Sequence, residues 1–288
     1  MGPAMINMQR YAALIFCMLA ISAARAQSGA TPPEREIASI RPAGRYLKTK
    51  DIRIYYREWN REGKQPIILL HGLFDTSETW AAVGSSLATR GYRVIAPDRR
   101  GSGQTTKPST GYDVATLGSD LLHLASALNL REVIVVGHSA GAAAAMSAAA
   151  AEPDMLRSII LVDGGFWPKQ PASEGEAIAQ PTCSTNRKRC ERAAAIEKGS
   201  RDHDPDELYP KITIPTLLIV AIPDDVSNQI SAADLTEAKT HAENVAKQKL
   251  KRGSVLFVHS SGHWIQKDRP EALVNAIVDF AVGVGRPQ

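Results

Sequence analysis

The sequence predicts an α/β fold in which a mainly parallel sheet carries helices on both faces. Three observations predict it. Short apolar runs rich in β-branched residues recur along the chain, such as Ile67-Ile68-Leu69-Leu70, Val133-Ile134-Val135-Val136 and Ile159-Ile160-Leu161-Val162. Runs of this kind suit strands covered on both faces. Segments with apolar residues at helical spacing separate them, and strands alternating with helices imply crossover connections and a parallel sheet. The chain has 288 residues, 44% hydrophobic and 22% charged, enough for one large α/β domain and an insertion.

The N-terminus reads as a targeting segment. Arg10 lies in a weakly basic leader, residues 11–21 are apolar but short for a membrane span, and Ala24-Arg25-Ala26 forms an A-x-A cleavage site. Residues 1–26 are therefore expected to be a signal peptide, with a mature start at Gln27 and export to the periplasm or the outside. An uncleaved anchor is the alternative. Phe16 before Cys17 argues against lipoprotein processing there. Residues 27–45, with Pro32-Pro33, read as a loose polar arm.

The core is expected over residues 46–165 and 211–288. Residues 52–59 alternate partially and predict an early strand. Residues 66–70 form a buried strand running into His71-Gly72-Leu73-Phe74-Asp75. Thr76 or Ser77 is placed to cap a helix that ends near Arg90-Gly91. Residues 93–96 form the next strand, which ends at Pro97-Asp98-Arg99-Arg100-Gly101-Ser102-Gly103. Residues 116–130 carry leucines at helical spacing. Residues 133–136 and 158–162 are further strands, with an alanine-rich helix between them. Residues 166–210 break the pattern with prolines, polar residues and two cysteines, and only residues 191–198 look helical. That is long for a connection, so it reads as a cap or lid. The alternation then resumes with a strand at 216–221, a helix at 231–250, a strand at 254–258 and a helix at 270–284.

One stretch carries chemistry. Gly137-His138-Ser139-Ala140-Gly141 has G-x-S-x-G spacing between a predicted strand and a predicted helix, which is the context of a nucleophile elbow. A serine at the tip of so tight a turn forces the chain to pass close to itself, and glycine has no Cβ to clash there. The bland alternative, a glycine turn with an incidental serine, loses ground once its partners are counted.

Taken together, His71-Gly72, Asp98-Arg99-Arg100-Gly101-Ser102-Gly103, the elbow, Asp224 and Ser261-Gly262-His263-Trp264 make the chain resemble the α/β-hydrolase family, over roughly residues 47–284. The resemblance implies Ser139 as nucleophile and His263, after the last strand, as its base. Of the seven histidines, His259 is the nearest rival because it sits on the same strand exit. The family's spacing points to Asp224 as the orienting acid. Asp225 is an alternative, and so is Asp163, since some members place the acid after the earlier strand. The implied oxyanion hole uses the backbone N–H of Ala140 and of Leu73, with Phe74 as the alternative to Leu73. Asp98 and Arg99 are expected to brace loops. Phe74, Phe166, Trp167 and Trp264 are candidate pocket aromatics.

The implied activity is hydrolysis of a small-molecule carboxylic ester or lactone through an acyl-enzyme, with no metal or organic cofactor. Carbon–carbon bond hydrolases and peptidases of the same fold keep the serine and remain alternatives. A non-catalytic binding protein is a more distant one. Dehalogenases and epoxide hydrolases resemble the chain elsewhere but use an aspartate nucleophile. The 34 basic and 30 acidic residues, net +4, are too balanced to imply nucleic acid. No membrane span is expected once the signal is removed. Given export, Cys183 and Cys190 are expected to form a disulfide within the cap.

Overall fold

The computed structural model describes residues 41–165, 191–192, 194–196, 198–199, 203–224 and 232–284. Its strands are β1 (Ala43–Lys48), β2 (Arg53–Trp59), β3 (Gln65–Leu70), β4 (Tyr92–Pro97), β5 (Val133–His138), β6 (Leu156–Val162), β7 (Thr216–Ile222) and β8 (Gly253–His259). They form a single sheet in the order β1-β2-β4-β3-β5-β6-β7-β8. β1 and β2 are antiparallel to their neighbours, and every other pair is parallel.

The longer helices of the described residues are α1 (Ala81–Thr89), α2 (Val114–Ala127), α3 (Ala140–Ala151), α4 (Ala232–Asn244) and α5 (Pro270–Gly283). Successive strand residues point to opposite faces, so Ile68, Leu70, Val133 and Val135 join α2, α3 and α4 in one core. Ile67, Leu69, Ile134 and Val136 pack on the other face with Trp80, Val83 and Leu87 from the α1 side and Leu273, Val274 and Ile277 of α5. Every residue of β5 is buried because strands flank it on both edges and helices cover both faces. Among the described residues, no helix is long and apolar enough to cross a membrane.

Three boundaries differ from the sequence expectation. The first strand begins at Ala43, inside the segment assigned to the arm. Its residues are almost all exposed, so no hydrophobic alternation marks it, and pairing with β2 alone makes it a strand. The helix expected to run to Leu250 is α4 followed by a π-helical stretch, Val245–Lys249. The core resumes before residue 211, because Tyr209 is 1% exposed and belongs to the α2–α3–α4 core. The described positions between 191 and 199 are helical, as their sequence suggested. Phe166, Trp167, Cys183, Cys190 and Asp225 lie outside the described residues, as do residues 1–40.

Candidate active site

The elbow forms as its glycines require. A Cβ on Gly137 would stand 2.5 Å from the Gly141 carbonyl oxygen, and one on Gly141 would stand 2.5 Å from the Leu70 oxygen. Both are closer than real Cβ contacts, so only glycine lets α3 fold back against β3 and β5. Ser139 sits at φ 53°, ψ −121°, a strained conformation for a non-glycine residue, of the kind that collects at functional sites. Its own N–H donates to the Val162 oxygen at 2.9 Å, which fixes the elbow to the end of β6. The hydroxyl-bearing residue is half-buried.

Three other site segments leave their strands through a left-handed residue. Phe74 follows β3 at φ 56°, Asp163 follows β6 at φ 46° and Ser260 follows β8 at φ 57°. All lie at the carboxyl ends of the parallel strands, where open α/β sheets place their ligand crevice.

His263 is 2% exposed, and its Nδ1 lies 2.7 Å from Asp163 Oδ2. A carboxylate can only accept, so Nδ1 carries a proton, which in the neutral ring leaves the lone pair on Nε2. Asp163 is itself anchored. Its second oxygen accepts from the Ala221 N–H at 3.1 Å, and its own N–H donates to the Ile219 oxygen at 2.8 Å. The acid beside His263 is therefore Asp163, and the expectation of Asp224 is corrected. Asp224 is exposed two residues beyond β7, and Oδ1 accepts from Ser260 Oγ at 2.6 Å. The reason is strand order: β6 adjoins β5, so its end lies beside the elbow, while the end of β7 is one strand further away. The loop after β8 turns back across β7, with Ser261 N–H reaching the Ile222 oxygen at 3.3 Å, and so brings His263 over to β6. His259 is the last residue of β8 and stays exposed.

The turn after β3 lies against the elbow. A Cβ on Gly72 would sit 3.1 Å from the Ser139 Cβ and 3.0 Å from His138 Nδ1. The Gly72 carbonyl is pinned by two donors, His71 Nδ1 at 2.8 Å and Arg99 Nη2 at 2.8 Å. His71 Nε2 in turn accepts from the Arg99 N–H at 2.9 Å. Among the described residues no peptide bond is cis, and in a trans peptide the N–H points opposite to the C=O. Holding the Gly72 oxygen therefore orients the Leu73 N–H. Ala140 is the first residue of α3, where the N–H has no partner within the helix.

Arg99 and Asp98 brace these loops. Arg99 is 7% exposed, and burial lowers its pKa to about 10, partly offset by Asp75, so it stays charged at neutral pH. Asp98 accepts from the Ser77 and Gln104 N–H groups at 2.8 and 2.7 Å. Phe74 is exposed at the rim. Trp264 lies edge-on to His263 with ring centres 5.8 Å apart. Lys267 sits over the Trp264 ring and 3.6 Å from Asp75 Oδ2, which links the loop carrying His263 to the turn after β3.

Burial holds the pKa of both His71 and His138 well below 6.5, with Arg99 adding to the effect at His71 and His263 adding to it at His138. In the sequence His138 is only the residue before Ser139, but its Nε2 lies 2.8 Å from the His263 carbonyl oxygen. No periodicity or spacing links residues 125 apart, so only the fold could reveal that contact.

This architecture is the α/β-hydrolase fold. A family model described as the alpha/beta hydrolase fold matches residues 65–182. An uncharacterized protein of Mycobacterium bovis is 39% identical over 120 residues, covering 41% of this chain and 35% of that protein. A non-heme chloroperoxidase of Streptomyces lividans is 37% identical over 110 residues, covering 38% of this chain and 40% of that one. The matched stretch is thus well under half of these relatives' own length. Among solved structures, E-2-(acetamidomethylene)succinate hydrolase superposes with a TM-score of 0.63 at 25% identity, covering 84% of this chain and 99% of that one.

Proposed function

We propose that the protein is a serine hydrolase that cleaves carboxylic ester or lactone bonds through an acyl-enzyme. The observation that carries the reading is the Asp163–His263 pair, 2.7 Å apart and almost fully buried, beside a strained serine at the tip of an elbow. A serine hydroxyl is a weak nucleophile until a base takes its proton during attack. His263 holds its proton on Nδ1 and offers Nε2, and Asp163 orients the ring and stabilises its charged form. Ser139 attacks the carbonyl, and the oxyanion is held by the N–H groups of Ala140 and Leu73. His263 then protonates the leaving alcohol. A water, giving its proton to His263, releases the acid and restores Ser139.

The serine at position 139 argues against the aspartate-nucleophile chemistry of dehalogenases and epoxide hydrolases. Carbon–carbon bond hydrolysis and peptide hydrolysis would use the same groups, and substrate choice falls to the cap and to rim residues such as Phe74 and Trp264. The reading includes export and a Cys183–Cys190 disulfide, which mass spectrometry of exported material would test by the absence of free thiols.

The test is turnover of p-nitrophenyl acetate and butyrate, followed by a panel of esters and lactones graded by acyl length. Wild type should turn over at least one ester and be labelled by a fluorophosphonate, and Ser139→Ala should do neither. Equal rates from both would reject Ser139 as nucleophile. Failure of wild type on the panel together with no labelling would favour a binding protein.

A further inference from the structure

We propose that His138 is a positioning residue that holds the base His263 and the oxyanion turn in register with the nucleophile. The inference rests on the serine-hydrolase reading and names a group outside its triad. His138 is the last residue of β5, one peptide before Ser139, so it shares the rigid frame that presents the nucleophile. It is 1% exposed, and both ring nitrogens are engaged. Nε2 meets the His263 carbonyl oxygen at 2.8 Å, and that oxygen can only accept, so Nε2 carries the proton. Nδ1 must then accept, and Gln266 Nε2 lies 3.3 Å from it. Gln266, itself 1% exposed, stands in the helical turn Ile265–Asp268 directly after His263. The same amide nitrogen lies 3.3 Å from Thr79 Oγ1, in the turn Ser77–Trp80 beyond the oxyanion loop. On its remaining side His138 abuts Gly72, where an added Cβ would come within 3.0 Å of Nδ1.

His263 needs such a tether because it is borne on a loop rather than on the sheet. Asp163 fixes the direction of its ring, whereas the contact from His138 fixes its main chain. Misplacing a reacting group by about 1 Å can cost on the order of 10²-fold in rate. The Gln266 bond, unlike the one to the His263 carbonyl, holds only while Nδ1 is bare and His138 uncharged. The two rings are 4.6 Å apart, and His263 carries a positive charge in the acylation transition state. A second cation at that distance would oppose it. Burial and the Gln266 donor both favour the neutral ring.

The test compares His138→Gln, His138→Asn and His138→Leu in the full chain, on the best ester found for wild type. Glutamine can place an N–H where Nε2 stands, asparagine is too short and leucine has no donor. His138→Gln should keep kcat within about threefold of wild type, while the other two lose about 10- to 100-fold in kcat with KM changed less than about threefold. The acid limb of kcat/KM should follow a single proton in both wild type and His138→Gln. Without substrate, the far-downfield Nδ1 proton of His263 should remain sharp in His138→Gln and broaden in the other two. Leucine, or asparagine if leucine does not fold, matching glutamine in rate and in that resonance would overturn the proposal, as would a two-proton acid limb in wild type. A failure of the serine-hydrolase reading looks different: wild type is not labelled by fluorophosphonate, yet the resonance comparison still reports on the tether.

Discussion

Asp163 and His263 form a buried pair across 100 residues of sequence, and the acid stands one residue beyond β6, beside the elbow strand. Asp224, two residues beyond β7, accepts from Ser260 in the same loop as His263, whose Nδ1 is taken by Asp163. Asp163→Asn should therefore lower kcat by roughly 10⁴. Asp224→Asn should stay within about tenfold of wild type, since an exposed hydrogen bond contributes little. Steady-state ester kinetics on both variants decide this, and a larger loss from Asp224→Asn would restore it as the working acid.

In the proposed mechanism Arg99 acts at one remove from the reaction. Its Nη2 and His71 Nδ1 together hold the Gly72 oxygen and so aim the Leu73 N–H. Arg99→Met should lower kcat by about 10- to 100-fold, within the range for loss of an oxyanion donor, with a smaller effect on KM. Activity at the wild-type level in a folded variant would show that the Gly72–Leu73 peptide needs no such hold.

The two buried neutral histidines make stability depend on pH. Burial holds the pKa of His71 and His138 well below 6.5, so below pH 6.5 the unfolded chain takes up protons there that the native state refuses. The unfolded state then binds more protons, and stability falls as pH falls. The slope approaches about 1.4 kcal/mol per pH unit for each histidine, or about 2.7 for the pair. It is half-developed at pH 6.5, fades above that and ends below the native values. Urea unfolding between pH 7.5 and 5.5 should show this decline, and His71→Asn should remove about half of it. An unchanged slope in His71→Asn would contradict the assignment.

Gly103 supports the loop that follows β4. It has φ +46°, and a Cβ there would fall 1.9 Å from Asp98 Oδ2, which accepts from the Gln104 N–H. Gly103→Ala should cost about 3 kcal/mol, from left-handed strain and a disturbed buried carboxylate. Gly91 also has a positive φ, +89°, but has nothing within 4 Å of an added Cβ, so Gly91→Ala should cost only about 1 kcal/mol. Equal melting temperatures for the two variants would rule out the steric component at Gly103.

The sequence by itself determined the alternation of strands and helices, the elbow at Ser139 and the histidine loop after the last strand. Each is written locally: apolar runs encode buried strands, glycines encode close approach, and the histidine follows its strand directly. The exposed strand β1 was not legible, because edge pairing leaves no apolar alternation in Ala43–Lys48. The tertiary structure decided which aspartate meets His263 and what holds its main chain. Asp163, Asp224 and Asp225 all follow apolar strands, so local sequence could not separate them. Strand order separates them, because β6 lies against β5 and β7 does not. Likewise His138 is locally only a polar residue before a serine, and its contact with His263 exists because the loop after β8 folds back over β7. Hydrogen bonds are short-ranged, so the partner of a side chain depends on which strand ends adjoin, and that is a property of the assembled sheet.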